Sequence, residues 1–165
     1  MKLSIVTTLY NSEEYVWEFY KRASNAAQNL VGEDYEIIFV NDGSPDSSLA
    51  KAIHLAHEHN NIKIIDLSRN FGHHKAMMTG LEHSSGDHVF LIDSDLEEKP
   101  EWLSSFNEQM TKDNADMVYG IQDHRKGAFI EKVTGAVFYK VFRLLTGVAQ
   151  PNNIVTARLM SRRYV

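Results

Sequence analysis

The chain has 165 residues, 43% of them hydrophobic, with 17 Lys and Arg against 22 Asp and Glu, for a net charge of −5. That length and apolar content suit one domain with a sizeable core and make a second full domain unexpected. Cysteine is absent, which excludes disulfides and thiolate chemistry and allows a reducing compartment.

The sequence opens directly on a strand-like segment, Lys2 to Leu9, without a secretory h-region and cleavage site. Further apolar runs follow at Glu36 to Val40, Ile62 to Leu67, Val89 to Ile92 and Asp116 to Tyr119. Between them, Ser12 to Leu30, Asp46 to His59, His73 to His83 and Pro100 to Met110 carry helix-length apolar spacing. Such alternation predicts an α/β fold, a mainly parallel sheet with helices on both faces. The boundary signals agree: Ser12 is placed to N-cap the first helix, Gly32 to end it and Pro100 to open the fourth. No run approaches the roughly 18 to 20 apolar residues that span a bilayer, so a soluble chain is expected.

In an open parallel sheet, ligands bind beyond the carboxyl ends of the strands, and the polar motifs fall there. The first strand runs into Thr7-Thr8-Leu9-Tyr10-Asn11, the second into Asn41-Asp42-Gly43-Ser44-Pro45-Asp46, the third into Ser68-Arg69-Asn70-Phe71-Gly72. Tyr10 as an aromatic wall and Asp42 as an acceptor suit a nucleobase. The fourth strand, Val89-Phe90-Leu91-Ile92, ends abruptly in Asp93-Ser94-Asp95. If the extended geometry persists past Ile92, alternate residues share a face, and both carboxylates aim at one ligand. Such a pair suits Mg²⁺ or Mn²⁺, which take oxygen ligands and share them with substrate phosphates. In isolation the same motif is only a solvated turn, so its neighbours must carry the reading.

Taken in order, these segments resemble the family 2 glycosyltransferases, nucleotide-sugar enzymes of the GT-A (Rossmann-like) fold, and within them the branch acting on polyprenyl or dolichyl phosphate. The likeness runs from Leu3 to about Val165. It rests on Ser4 to Asn11, Val40 to Asp46, Asn70-Phe71-Gly72 with Ala76 and Gly80, Gly86-Asp87, Asp93 to Leu96, Pro100-Glu101 and Arg158-Leu159-Met160. It implies a nucleotide pocket at Thr8, Leu9 and Tyr10, base recognition by Asp42, and Gly72 and Lys75 near the nucleotide. It further implies Asp93 at the ribose or metal, Asp95 on the cation, and Arg125 on phosphate. Several positions depart from the family pattern: Thr8 replaces a usual proline, Ser12 a glutamate, Glu97 a glutamine and Gln122 an arginine. The resemblance also implies an inverting transfer, in cell-envelope polysaccharide or glycolipid synthesis at the cytoplasmic face of the membrane.

The acceptor is approached from charge. The last 34 residues hold Lys132, Lys140, Arg143, Arg158, Arg162 and Arg163 and no acid, so the net −5 leaves −11 on the first 131. Gln150 to Arg158, where the family usually places a catalytic carboxylate, contains none. A phosphate acceptor is already ionised and needs cations instead of a base, so Arg158 and Arg162 are expected to hold the phosphate of a polyprenyl lipid. A saccharide hydroxyl is the alternative acceptor, with Asp123 as a candidate base. From Ile130 to Leu145, an apolar face with Lys132, Lys140 and Arg143 set away from it suits a membrane interface. The single catalytic domain of residues 1–165 is thus expected to have a membrane-proximal acceptor part from about 127 and to be truncated, since relatives often continue into membrane helices. No nucleic-acid partner is expected.

Two rivals are weighed. A haloacid-dehalogenase-type phosphatase also uses Asp-x-Asp, but Glu97 stands where Thr or Val belongs and the motif lies mid-chain. A nucleotide-sugar binding domain without catalysis is favoured by Thr8, Ser12 and Gln122. A dehydrogenase is disfavoured because no Gly-x-Gly-x-x-Gly follows the first strand.

Overall fold

A computed structural model of the chain describes residues 1–121 and 154–165. In chain order the elements are β1 (Leu3–Leu9), α1 (Val16–Val31), β2 (Tyr35–Asn41), α2 (Ser48–Glu58), β3 (Ile62–Asp66), α3 (His73–Glu82), β4 (His88–Leu91), α4 (Trp102–Asp113), β5 (Met117–Ile121) and β6 (Ile154–Ser161). They build a six-stranded sheet of order β3-β2-β1-β4-β6-β5. Strands β1 to β4 pair in parallel, and β6 runs antiparallel to β4. The chain divides into two compact units, Met1–Val118 with Thr156–Val165, and Tyr119–Val155.

The sheet forms where the sequence is apolar without interruption. Every residue of β1 is buried, as a strand covered on both faces requires. Helix α1 turns Val16, Phe19, Ala23 and Ala27 inward at helical spacing, and Phe19 meets Phe39 of β2 edge-on at 6.0 Å between ring centroids. Each large side chain buried this way contributes about 1.5 to 3 kcal/mol. Helix α3 covers another part of the sheet, with Ala76 and Met77 packed among Val6, Ile38, Val40, Val89, Leu91 and Met160. Its approach depends on Gly80, where an added Cβ would lie 2.4 Å from Val6 Cγ1.

Two expectations are corrected, and one element is added. Ser12 does not cap the first helix, which starts at Val16; its hydroxyl instead accepts the backbone N–H of Tyr10 at 3.2 Å. The fourth strand ends at Leu91, so the paired acids sit in a turn and not on an extended strand. The segment around Arg158 is itself a strand, β6, in register Leu91↔Arg158 with β4. Gly32 does end α1, at φ 64° with its N–H on the carbonyl of Gln28.

The strand order reverses between β1 and β4. Chain leaving the carboxyl ends of these two neighbours diverges there, which opens a crevice of the kind that receives ligands in α/β sheets.

Candidate active site

At the exit of β1 the chain is braced from several sides. Asn11 adopts φ 51°, and its N–H donates to Ser44 Oγ at 2.8 Å. The N–H of Ser12 donates to Ser48 Oγ at 3.0 Å, and that of Glu13 to Asp46 Oδ2 at 3.0 Å. Burial works against the charge on Asp46, but hydrogen bonds from Ser44, Ser48 and Glu13 prevail and hold its carboxyl at about 2. Loops β1–α1 and β2–α2 are thereby fastened together, while Tyr10 remains 48% exposed at the cleft.

The exit of β4 is anchored by Ser94. Its buried hydroxyl donates to the carbonyl of Thr8 at 2.9 Å and reaches Ser12 Oγ at 3.2 Å. With Ser94 fixed inward, the acids on either side line one cleft of about 270 Å³ together with Thr8, Tyr10, Ser12 and His73. Asp95 Oδ1 accepts the N–H of Glu97 at 3.0 Å. Leu96 follows at φ 62°, a left-handed backbone that costs a side-chain-bearing residue on the order of 1 kcal/mol. A turn, not strand alternation, therefore brings the two carboxylates to one ligand space.

Other expected site residues are placed as follows. Leu9 is fully buried in the core. Asp42 is 2% exposed, and its two oxygens accept the N–H groups of Phe71 at 2.7 Å and Gly72 at 3.0 Å. The carboxylate expected to read a base is thus engaged in holding the β3–α3 loop. Gly72 caps α3 at φ 98°, and Lys75 is exposed on its first turn. Arg158 lies beside the β4 exit, opposite Leu91, with Nε on the carbonyl of Thr156 at 2.9 Å. Arg162 is not brought to this rim. Antiparallel pairing carries it to the amino end of β4, where Nε donates to the carbonyl of Gly86 and Nη2 to Ser84 Oγ, both at 2.9 Å. Arg125, Asp123 and the 130–145 segment lie outside the described residues.

The structure adds residues that the sequence reading left without a role. His73, which opens the third predicted helix, bridges two site residues: Nδ1 is 3.1 Å from Thr8 Oγ1 and Nε2 is 3.3 Å from Asp93 Oδ1. Its place directly after Gly72 at a helix start was the available signal. Glu98 is buried at 8% exposure, and Oε1 accepts the N–H of Thr156 at 2.7 Å. Burial foremost, and the charge of Asp93, push its carboxyl up, against backbone N–H groups of Ala157, Thr156 and Asp93 that favour the ion. Nothing in the sequence separated it from the exposed acids around it.

Asp93 and Asp95 fit a divalent ion, being hard oxygen donors that line one cleft. Among the described residues no group of three or more His, Asp or Glu side chains gathers as a metal cage. Substrate phosphate and water would complete the shell.

A sheet with this switch point, carrying paired acids and an aromatic ring at its carboxyl rim, is of the Rossmann-like α/β class. The Glycosyl transferase family 2 profile matches residues 4–165, and the chain belongs to that family. This removes the phosphatase reading. A Mycobacterium tuberculosis (strain CDC 1551 / Oshkosh) protein named only as a glycosyltransferase is 50% identical over the whole chain, which covers 48% of that protein. The uncharacterized glycosyltransferase YkcC of Bacillus subtilis (strain 168) is 36% identical over 99% of the chain and 50% of its own length. The chain thus spans about half the length of the curated relatives it matches. Among solved structures, S. aureus TarS matches at TM-score 0.61 and 26% identity, over 78% of this chain and 38% of that one. The Pyrobaculum calidifontis mannosyltransferase PcManGT, solved with GDP-Man and Mn²⁺, matches at TM-score 0.70 and 18% identity, over 98% of this chain and 45% of its own. That likeness establishes the GT-A type of fold.

Proposed function

We propose that the chain is the donor-binding part of an inverting glycosyltransferase. It takes a sugar from a nucleoside diphosphate sugar, with Mg²⁺ or Mn²⁺ at Asp93 and Asp95. It passes the sugar to a lipid phosphate such as polyprenyl phosphate, in cell-envelope polysaccharide or glycolipid synthesis at the cytoplasmic face of the membrane. The observation that carries this reading is the single cleft at the switch point, where both acids meet Thr8, Tyr10 and His73. Related folds support the donor class: TarS was solved with UDP-GlcNAc, and PcManGT with GDP-Man and Mn²⁺.

The cation, when bound, neutralises charge that develops on the departing diphosphate. The chain's own residues bind and orient. Tyr10 offers an exposed ring for the base. Thr8 and His73 face the diphosphate from β1 and from the start of α3, where backbone N–H groups favour anions. Asp42 acts on the base indirectly, by fixing the loop of Phe71 and Gly72. Arg158 is the described cation that suits the acceptor phosphate, and an ionised phosphate attacks without a general base. Arg162 has no part in this reading, because its contacts lie at the opposite rim. Arg125, as a phosphate ligand, and the 130–145 segment, as the membrane contact, keep the roles that the sequence suggests.

Thermal unfolding measured with UDP-, GDP- and dTDP-sugars, with and without Mn²⁺, tests the proposal, since a ligand of the native state raises the melting temperature. One nucleotide class is expected to stabilise in a Mn²⁺-dependent way. No response to any nucleotide with Mn²⁺ would overturn the reading.

A further inference from the structure

We propose that Glu98 is a positioning residue that ties the loop of Asp93 and Asp95 to the strand of Arg158, setting the donor side and the acceptor side of the site with one side chain. This rests on the roles just proposed for those residues.

The geometry begins where a strand stops. The register of β4 with β6 ends at the pair Leu91↔Arg158, and beyond it the chain after β4 turns away through Ser94 and Asp95. A backbone N–H on β6 past that point still needs an acceptor. Leu96, at φ 62°, reverses the loop and brings Glu98 back against the sheet, where it is 8% exposed. Oε1 then takes the N–H of Thr156 at 2.7 Å. The carbonyl of the same residue takes Nε of Arg158 at 2.9 Å. Glu98, Thr156 and Arg158 thus form one hydrogen-bonded series, and the other end of the series is covalently three residues from Asp95 and five from Asp93.

The backbone N–H of Asp93 also favours the ionised carboxylate, so the charge of Glu98 is felt by the metal-side loop as well as by β6. Among the described residues, Glu98 Oε2 is buried without a hydrogen-bond partner, a costly arrangement for a carboxylate. An apolar side chain here would leave the Thr156 N–H without its acceptor, and the acid in this place fixes two functional segments at one separation.

The test compares Glu98→Gln and Glu98→Ala in the whole 165-residue chain, by amide hydrogen exchange and by titrating Mn²⁺ with whichever of UDP, GDP and dTDP stabilises the wild type. Glu98→Ala is expected to speed exchange at Thr156 and to raise the Mn²⁺ midpoint, each about tenfold, the scale of one charge-assisted hydrogen bond. Glu98→Gln keeps the size and an acceptor oxygen, so it folds and shows the same changes at about threefold. Should the alanine variant not fold, the glutamine variant alone decides. Unchanged exchange at Thr156, or a lower melting temperature with the Mn²⁺ midpoint unmoved, would overturn the positioning role. In either case the wild-type response to Mn²⁺ stays intact, which separates that failure from failure of the donor reading, where the wild type shows no such response and the Glu98 inference falls with it.

Discussion

The acids at the amino end of the sheet and the two acids at the exit of β4 are treated in opposite ways. At the amino end, Glu36 is enclosed by Ser4 Oγ at 2.6 Å, Ser85 N at 2.7 Å and Lys63 Nζ at 3.1 Å. Asp87 accepts the N–H of Lys2 at 2.8 Å, and Arg162 closes over Gly86 and Ser84. At the carboxyl end, Asp93 and Asp95 stand two residues apart on the wall of an open cleft, with His73 at 3.3 Å from Asp93. Acids given partners by their own chain add stability. Two acids lining one open cleft suit a cation from outside.

That contrast is broken most severely by Asp95→Ala. The variant should fold with a nearly unchanged melting temperature, because an exposed side chain is removed, yet lose Mn²⁺-dependent stabilisation by nucleotide entirely. A retained response would remove the metal assignment. The two arginines sharpen the contrast next. Arg158→Ala should lower transfer to polyprenyl phosphate at least about tenfold, the scale of one charge-assisted contact, with the donor-induced thermal shift preserved. Arg162→Ala should cost stability and leave the transferred fraction per folded molecule unchanged. Equal effects of the two substitutions on transfer would contradict the assignment of Arg158.

Smaller in effect is the scaffold behind the rim. At Gly43, φ is 62° and an added Cβ would lie 2.5 Å from the backbone nitrogen of Asn70. Neither the left-handed backbone nor the facing main chain can yield cheaply, so Gly43→Ala should destabilise by about 3 kcal/mol in urea unfolding. A change under about 0.5 kcal/mol, the range of ordinary surface substitutions, would show that these loops part freely.

Most of this fold was legible because parallel strands buried on both faces leave long apolar runs, as in Leu3–Leu9, which the sequence predicts to within one residue. Asp93 and Asp95 were legible for the same reason: charge appears abruptly where such a run stops. β6 was not, since Ile154–Ser161 places Thr156, Arg158 and Ser161 among its apolar residues and adds to the sheet from far along the chain. Asp42 was legible as a rim residue but not as a clamp, because its partners are backbone N–H groups of another loop. Glu98 was hidden for a related reason. Its burial is created by a left-handed turn at Leu96, a residue type that does not announce one.

The amino end supplies the mildest test, and acid brings it out. The Glu36 carboxyl is pushed up by burial but held down more strongly by Ser4, Ser85 and Lys63, to about 2 from an ordinary 4.5. Between those values the unfolded chain takes up a proton that the folded one refuses. Glu36 therefore contributes its full stability above about pH 4.5, and the contribution fades as pH falls through about 2. With its side chain only 12% exposed, the contribution is about 2 kcal/mol. Urea midpoints of wild type and Glu36→Gln should differ most at neutral pH and converge toward pH 2. Parallel curves across that interval would mean that Glu36 gains nothing from its enclosure, and the division between satisfied and open acids would no longer separate scaffold from site.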